Sequence, residues 1–173
     1  MDYLKQFVIP FGGLKPGVHQ FSFEVDDLFF ERFEHSEIKK GKFTIDVTFE
    51  REEKMLILNF LIDGKAEIPC DRCYESFLLP IHGKERLIVK FGDSFHEENE
   101  EVQVIPLGET QIDISPFIYE YVHLLIPFRR VHPEDENGNS LCDPDIIKRI
   151  DEREAVSDPD PRWEVLKKLK PKN

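Results

Sequence analysis

The chain has 173 residues, of which 40% are hydrophobic, and a formal net charge of −12 from 35 acidic and 23 basic side chains. This hydrophobic content is enough to bury a core, which excludes wholesale disorder, and the length fits one domain or one domain with a tail. An acidic chain is repelled by phosphate backbones and attracted to basic proteins, so nucleic-acid contact would need a local basic patch or a basic partner.

The sequence also indicates a cellular compartment. It has no apolar run of about 18 residues, and its first residues lack the basic-then-apolar pattern of a secretory signal. Three cysteines, an odd number, favour free thiols in a reducing compartment over a disulfide framework. We therefore expect a cytoplasmic protein that has no membrane partner.

Strand patterns dominate the first half of the chain. Residues 43–49 alternate apolar and polar side chains, and residues 56–62 are almost continuously apolar. Asp63-Gly64 then predicts a hairpin turn that returns the chain along residues 65–70. Residues 77–91 predict a further long strand, and the acidic residues 92–101 predict a mobile loop.

The clearest helix signal follows. Ser115-Pro116 fits a helix start, an apolar stripe runs from Phe117 to Leu125, and Pro127 ends the pattern. We expect an α+β fold with a mostly antiparallel twisted sheet or partly open barrel, one helix packed on it, and a C-terminal helical arm. The predicted division is a single domain over residues 1–156, which carries the Cys-x-x-Cys turn, and a basic arm over residues 157–173.

Four residues could supply a metal site. Cys70 and Cys73 form a Cys-x-x-Cys pair, which lets two sulfur atoms converge across a tight turn, and Cys142 follows His132 by ten positions. Together they offer the four soft or borderline ligands of one structural zinc ion. Two other uses of the pair stay open, a structural turn without metal and a redox dithiol, although the strand-like flanks lack the helix that lowers a redox thiol's pKa.

Basic residues are candidates for RNA or partner binding. Arg72 lies in the Cys-x-x-Cys turn and Arg129-Arg130 follow the predicted helix, while the last segment is the one basic patch of the chain. An ordinary tail helix that exposes its lysines would give the same pattern. The candidates in the last segment are Arg162, Trp163, Lys167, Lys168 and Lys170.

Other motifs give weaker indications of function. The acidic residues 97–101 could bind a basic partner, but a solvated loop gives the same sequence. Residues 134–139 lack the periodic ligands of a calcium loop. No glycine-rich phosphate loop or local nucleophile motif is present, so nothing indicates a catalytic site.

Several of these features occur in one order: Cys70-x-Arg72-Cys73, Ile112-Asp113-Ile114, Leu124-Leu125-Ile126-Pro127, His132, Cys142 and the Trp163–Lys170 tail. This set resembles the YceD-type family, bacterial and plastid proteins linked to the accumulation of large-subunit ribosomal RNA, over roughly residues 40–170. Many relatives carry further cysteine pairs near the C-terminus. This chain has only Cys142 there, so a complete zinc site would need His132.

The resemblance implies a non-enzymatic factor that supports large-subunit ribosomal RNA accumulation and ribosome assembly. Its partner would be a large-subunit ribosomal RNA precursor or a basic ribosomal protein, with no small-molecule substrate. Two alternatives remain at this point: a zinc- or thiol-dependent redox protein or enzyme that uses Cys70 and Cys73, and a general protein-interaction module.

Overall fold

The computed structural model describes residues 3–99 and 101–155, so the predicted arm at 157–173 lies outside the described residues. The chain forms two compact units. Among the described residues, the first combines those up to 69 with those from 76 to 130, and the second combines Cys70–Glu75 with those from Val131 to 155. The predicted single domain over residues 1–156 stays a prediction.

The first unit is built on a six-stranded sheet. The elements of this unit are a 3-10 helix (Tyr3–Phe7), β1 (Val8–Ile9), β2 (Gly17–Val25), α1 (Asp27–Phe30), β3 (Lys40–Arg51), β4 (Met55–Pro69), β5 (Ser76–Gly92), β6 (His96–Asn99), β7 (Val102–Pro106), β8 (Ile112–Asp113) and α2 (Ser115–Leu124). Strands β2 to β5 form an antiparallel meander, β7 pairs with β5 in parallel, and β6 lies beside β7 at the edge, while β1 and β8 form a separate antiparallel pair. The α+β prediction is confirmed, with a mixed sheet that does not close into a barrel.

Strand periodicity decides which face of this sheet is buried. In β3, Phe43, Ile45, Val47 and Phe49 are buried, and the residues between them are exposed or half-buried. Phe43 pairs with Gly64 of β4, and the other three pair with buried apolar residues of that strand, so one face of the sheet forms the core and the other faces water.

The predicted hairpin at Asp63-Gly64 is wrong. Both residues lie inside β4, which runs for 15 residues, and Asp63 pairs with Thr44 on one side and His82 on the other. A Cβ on Gly64 would collide with the Lys42 carbonyl and lie 2.5 Å from the Phe43 ring. Glycine is therefore required by the close approach of a neighbouring strand and not by a turn.

The real turn between β4 and β5 is the Cys-x-x-Cys segment itself. Pro69 and Ser76 are the last paired residues of this hairpin, so Cys70–Glu75 forms its connection. The cysteine turn therefore follows the second strand of the β3–β5 meander, whereas the sequence predicted that it would follow a third strand over residues 65–70.

The predicted mobile loop at 92–101 is also wrong in part, because strand β6 lies within this acidic segment. His96 pairs with Val104 and Glu97 with Gln103, with a bulge before Asn99. Charged side chains and a bulge are typical of an edge strand, since both discourage pairing with another chain.

Helix α2 packs on the sheet as predicted. Pro116 lies in its first turn, and the Asp113 carboxylate accepts hydrogen bonds from the amide and hydroxyl of Ser115 at 2.9 and 2.7 Å. The Tyr121 ring lies 5.3 Å from that of Phe60, centroid to centroid, in an edge-on arrangement. No helix of the described residues is long and apolar enough to cross a membrane.

The second unit contains the cysteine turn, a loop and helix α3 (Pro144–Ala155). Within the loop, Glu134 and Ser140 form an isolated antiparallel bridge, and the Asp135 amide donates to the Asn139 carbonyl at 2.8 Å. The Asp143 carboxylate accepts from the amide of Asp145 at 2.8 Å and so satisfies a free donor at the start of α3.

Candidate metal centre

Backbone hydrogen bonds hold the Cys-x-x-Cys turn in one conformation. The Cys70 amide donates to the Glu75 carbonyl at 3.0 Å, and the Tyr74 amide donates to the Cys70 carbonyl at 2.9 Å. Tyr74 has φ +63°, a left-handed conformation that non-glycine residues rarely adopt. The tight turn brings the side chains of Cys70 and Cys73 to the same side.

The other two candidate ligands come from the loop that precedes α3. The Leu141 amide donates to the Pro133 carbonyl at 3.2 Å, which draws the two ends of this loop together. The Ser140 hydroxyl accepts from the Cys142 amide at 3.2 Å. His132 and Cys142, ten residues apart, therefore become spatial neighbours.

The structure brings all four predicted metal ligands together. The Sγ atoms of Cys70 and Cys142 are 3.7 Å apart, and Nδ1 of His132 lies 3.4 Å from Sγ of Cys73 and 3.7 Å from Sγ of Cys142. All four ligand atoms lie within 4.8 Å of one another. In a tetrahedral site with metal–sulfur bonds of about 2.3 Å, neighbouring sulfur atoms are separated by roughly 3.8 Å, so the spacing fits zinc.

The cluster is shielded from water, which suits a structural site. The three cysteines are buried, and His132 is half-buried. They form no disulfide. Four protein ligands leave no position for water or a substrate, which is the arrangement of structural zinc rather than of catalytic zinc.

The thiols differ in how easily they ionise. Burial opposes ionisation of Cys70, but hydrogen bonds from the amides of Cys73, Arg72 and His132 outweigh it and lower the Cys70 pKa to about 6. The Arg72 amide lies 3.4 Å from the Cys70 sulfur. Burial raises the pKa of Cys142, and the neighbouring sulfur atoms of Cys70 and Cys73 add to that effect.

The acidic residues 134–139 have a structural explanation instead of a calcium site. One oxygen of the Asp135 carboxylate accepts from the amides of Asn137 and Asn139, and the other accepts from the Asn139 side chain at 3.0 Å. These bonds lower the Asp135 pKa and hold the tight turn at Gly138, whose φ is +80°. The carboxylate is thus engaged in shaping the loop that carries His132 and Cys142.

The predicted basic contacts are placed only in part. Arg72 is half-buried in the cysteine turn, Arg129 is exposed, and Arg130 pairs with Glu37 at 3.3 Å. Their role in binding stays a prediction. The remaining candidates lie outside the described residues: Arg162, Trp163, Lys167, Lys168 and Lys170.

Sequence reasoning missed two residues that shape the cluster. Tyr74 closes the turn through its left-handed backbone, and Ser140 fixes the amide of Cys142. A Ser-x-Cys spacing is a usable signal for the second, because short hydroxyl side chains bond to amides two residues on. Tyrosine gives no signal for the first, because positive φ is usually associated with glycine or asparagine.

Fold and site together define a small α+β protein with a closed Cys3His cluster formed by a hairpin turn and a distant loop. A family model described as "Large ribosomal RNA subunit accumulation protein YceD" matches residues 58–170, which is about two thirds of the chain and includes all four cluster residues. The chain belongs to the YceD family. No curated protein and no solved structure matches the chain significantly.

Proposed function

We propose that this protein is a non-enzymatic factor that supports accumulation of large-subunit ribosomal RNA and ribosome assembly by binding ribosomal RNA or a basic ribosomal protein. The observation that carries the proposal is the family match, which spans most of β4, all of β5 and α2, and the complete Cys3His cluster. The family's name ties it to ribosomal RNA, and the cluster has the chemistry of a structural site. The predicted cytoplasmic location agrees with this role and stays a prediction.

One zinc ion would be held by Cys70, Cys73, His132 and Cys142 and would stabilise the second unit. In this unit a turn of six residues must be held against a loop that begins at Val131. Small units of this kind bury little apolar surface, and a metal supplies the missing free energy of folding. The ion would therefore have a structural role.

Metal content tests this proposal. Protein purified without a histidine tag or chelator should contain one zinc per chain, and Cys142→Ser and His132→Asn should each lose it. His82→Asn is the matched control, because His82 is exposed in β5 outside the cluster. Wild-type protein without metal, or full zinc content in both cluster variants, would refute the site.

Cells that lack the gene test the cellular role. We expect mature large-subunit ribosomal RNA to fall relative to small-subunit ribosomal RNA, and wild-type protein to restore it. Cys70→Ser and Cys142→Ser should restore it less well at equal protein level. An unchanged ratio of the two RNAs in the deletion strain would contradict the proposed function.

A thiol-dependent redox protein is the second candidate, because the pKa of Cys70 is lowered to about 6. Such a protein needs an accessible thiolate, whereas Cys70 is fully buried. Alkylation of the zinc-loaded protein at mildly acidic pH separates the two functions. A structural site predicts slow labelling of Cys70 and Cys73, and rapid labelling of either would favour the redox function.

A further inference from the structure

The first unit carries an apolar groove beside the edge strand. It encloses about 530 Å³ between β6, β7, β8 and the first turn of α2. Ile105 and Ile112 form part of its floor, Phe117 lines one side, and Phe95 stands at its margin with 63% of its surface exposed. A large apolar side chain exposed next to an apolar floor is typical of a binding surface.

The rim of this groove carries a single sign of charge. Glu97, Glu109, Asp113 and Glu120 line it, and no lysine or arginine is among its described lining residues. Among the described residues, the ion pairs Lys40–Glu67 and Arg130–Glu37 involve none of these carboxylates. The groove therefore combines an apolar floor with a strongly negative rim.

Further carboxylates lie near the buried tyrosine of α2. Burial raises the pKa of Tyr121 in α2, and the charges of Glu120, Glu85 and Glu101 raise it further. A second depression of about 320 Å³ continues the groove and shares Glu97, Phe117 and Glu120 with it. The groove therefore continues past Phe117 and Glu120 of α2.

We propose that this groove binds a basic peptide segment of a partner protein, in which an apolar side chain is flanked by lysine or arginine. The apolar side chain would lie against Phe95 and Phe117, and the cationic groups would pair with the rim carboxylates. This inference deepens the proposed function, since a basic ribosomal protein is one of its two partner classes. It disfavours RNA at this site, because phosphates would face the negative charge of the rim carboxylates.

A peptide-binding assay on the full chain tests the groove. The probe is a short fluorescent peptide of alternating lysine and leucine, compared with peptides that carry serine for leucine or glutamate for lysine. The first should bind, and the other two should bind much more weakly. Affinity should fall with added salt, because exposed ion pairs are screened.

Matched variants locate the site. Combining Glu97→Gln, Glu109→Gln and Glu120→Gln should weaken binding about tenfold at low salt, given the usual strength of three exposed ion pairs. Combining Glu34→Gln, Glu52→Gln and Glu53→Gln changes net charge equally at exposed positions away from the groove and should leave binding unchanged. Equal weakening by both sets would overturn the proposal in favour of general charge attraction.

The apolar part is tested by Phe95→Ser, with Leu107→Ser as its control. Leu107 is 74% exposed and does not line the groove. Only Phe95→Ser should weaken binding, and equal effects would overturn the proposal. Single-stranded RNA should not displace the peptide; displacement would assign the groove to RNA instead.

The assay also tests one competing occupant, the chain's own lysine-rich segment. If Lys167→Glu, Lys168→Glu and Lys170→Glu together strengthen peptide binding, that segment competes for the groove and the partner assignment is overturned. Unchanged binding supports a separate protein. Failure of all these assays alongside reduced ribosomal RNA in deletion cells would reject the groove and leave the proposed function intact.

Discussion

Cys70 and Cys142 face each other in the cluster but ionise differently, and this difference predicts how zinc affinity depends on pH. The amides around Cys70 lower its pKa to about 6, so above that value no proton must leave Cys70 when zinc binds. Burial raises the pKa of Cys142, so its proton must be displaced at neutral pH. Protons compete with metal at every ligand that is still protonated.

The two pKa shifts determine how zinc affinity changes with pH. Apparent zinc affinity should rise with pH through the neutral range because Cys142 still carries its proton there, and it should fall more steeply below about pH 6, where Cys70 also becomes protonated. Calorimetric titration in buffers of different ionisation enthalpy measures the protons released. If the number of protons released on zinc binding does not increase when the pH drops below 6, the low pKa of Cys70 is contradicted.

The residue types of the cluster made it predictable, whereas its neighbours did not. Cysteine and histidine are uncommon and are strong metal ligands, so Cys70, Cys73, His132 and Cys142 could be selected before their proximity was known. The groove carboxylates could not be selected in this way, because glutamate is common and the three residues are far apart in the chain: Glu97 lies in β6, Glu109 between β7 and β8, and Glu120 in α2. Only the sheet order and α2 bring them together.

At the scale of elements, the β4–β5 hairpin carries the cysteine turn at its end. Gly64 and Gly83 lie inside its two strands, and we expect alanine to be tolerated differently at the two positions. A Cβ at Gly64 meets the backbone of Lys42 and Phe43, which cannot move without breaking the β3–β4 ladder. A Cβ at Gly83 meets only the end of the Leu125 side chain. Leu125 is half-buried and can adopt another rotamer.

We therefore predict that Gly64→Ala lowers the free energy of unfolding by about 2–3 kcal/mol and Gly83→Ala by about 1 kcal/mol, the range for overpacked sites. Gly108→Ala is the control, since nothing lies within 4 Å of its Cβ position. Its effect should stay within about 0.5 kcal/mol. Urea denaturation measures all three, and equal losses at Gly64 and Gly83 would contradict the argument.

The same hairpin shows what the sequence could predict about the elements. Alternation identified β3 and the long β5, because a strand with one buried face repeats every two residues. Asp63-Gly64 gave a wrong hairpin prediction, because the same two residues occur where glycine forms a turn and where it makes room for a neighbouring strand. The contact with Lys42, 22 positions away, decided between them, and such contacts are absent from local sequence.

The charge of the whole molecule bears on how an acidic protein can support ribosomal RNA. With a net charge of −12, the chain as a whole is repelled by phosphate, and its one basic segment lies at residues 162–172. A basic ribosomal protein is a partner that such a chain attracts without a special patch. The groove at β6 and α2 would provide a place for it under the proposal above, and any effect on RNA would then pass through that protein.

This leads to a prediction for RNA itself. At physiological salt the full chain should bind single-stranded RNA no more tightly than about 10⁻⁴ M, the weak end of nonspecific nucleic-acid binding, with affinity falling steeply as salt rises. Lys167→Glu, Lys168→Glu and Lys170→Glu together should abolish this residual binding, because these lysines supply most of the local positive charge. Fluorescence anisotropy with labelled RNA measures both effects.

The control combines Lys39→Glu, Lys54→Glu and Lys84→Glu, which change the net charge equally at exposed positions of the first unit. Submicromolar binding that survives replacement of Lys167, Lys168 and Lys170 would show that the protein recognises RNA directly through a surface outside the C-terminal segment. The basic-protein route would then be wrong.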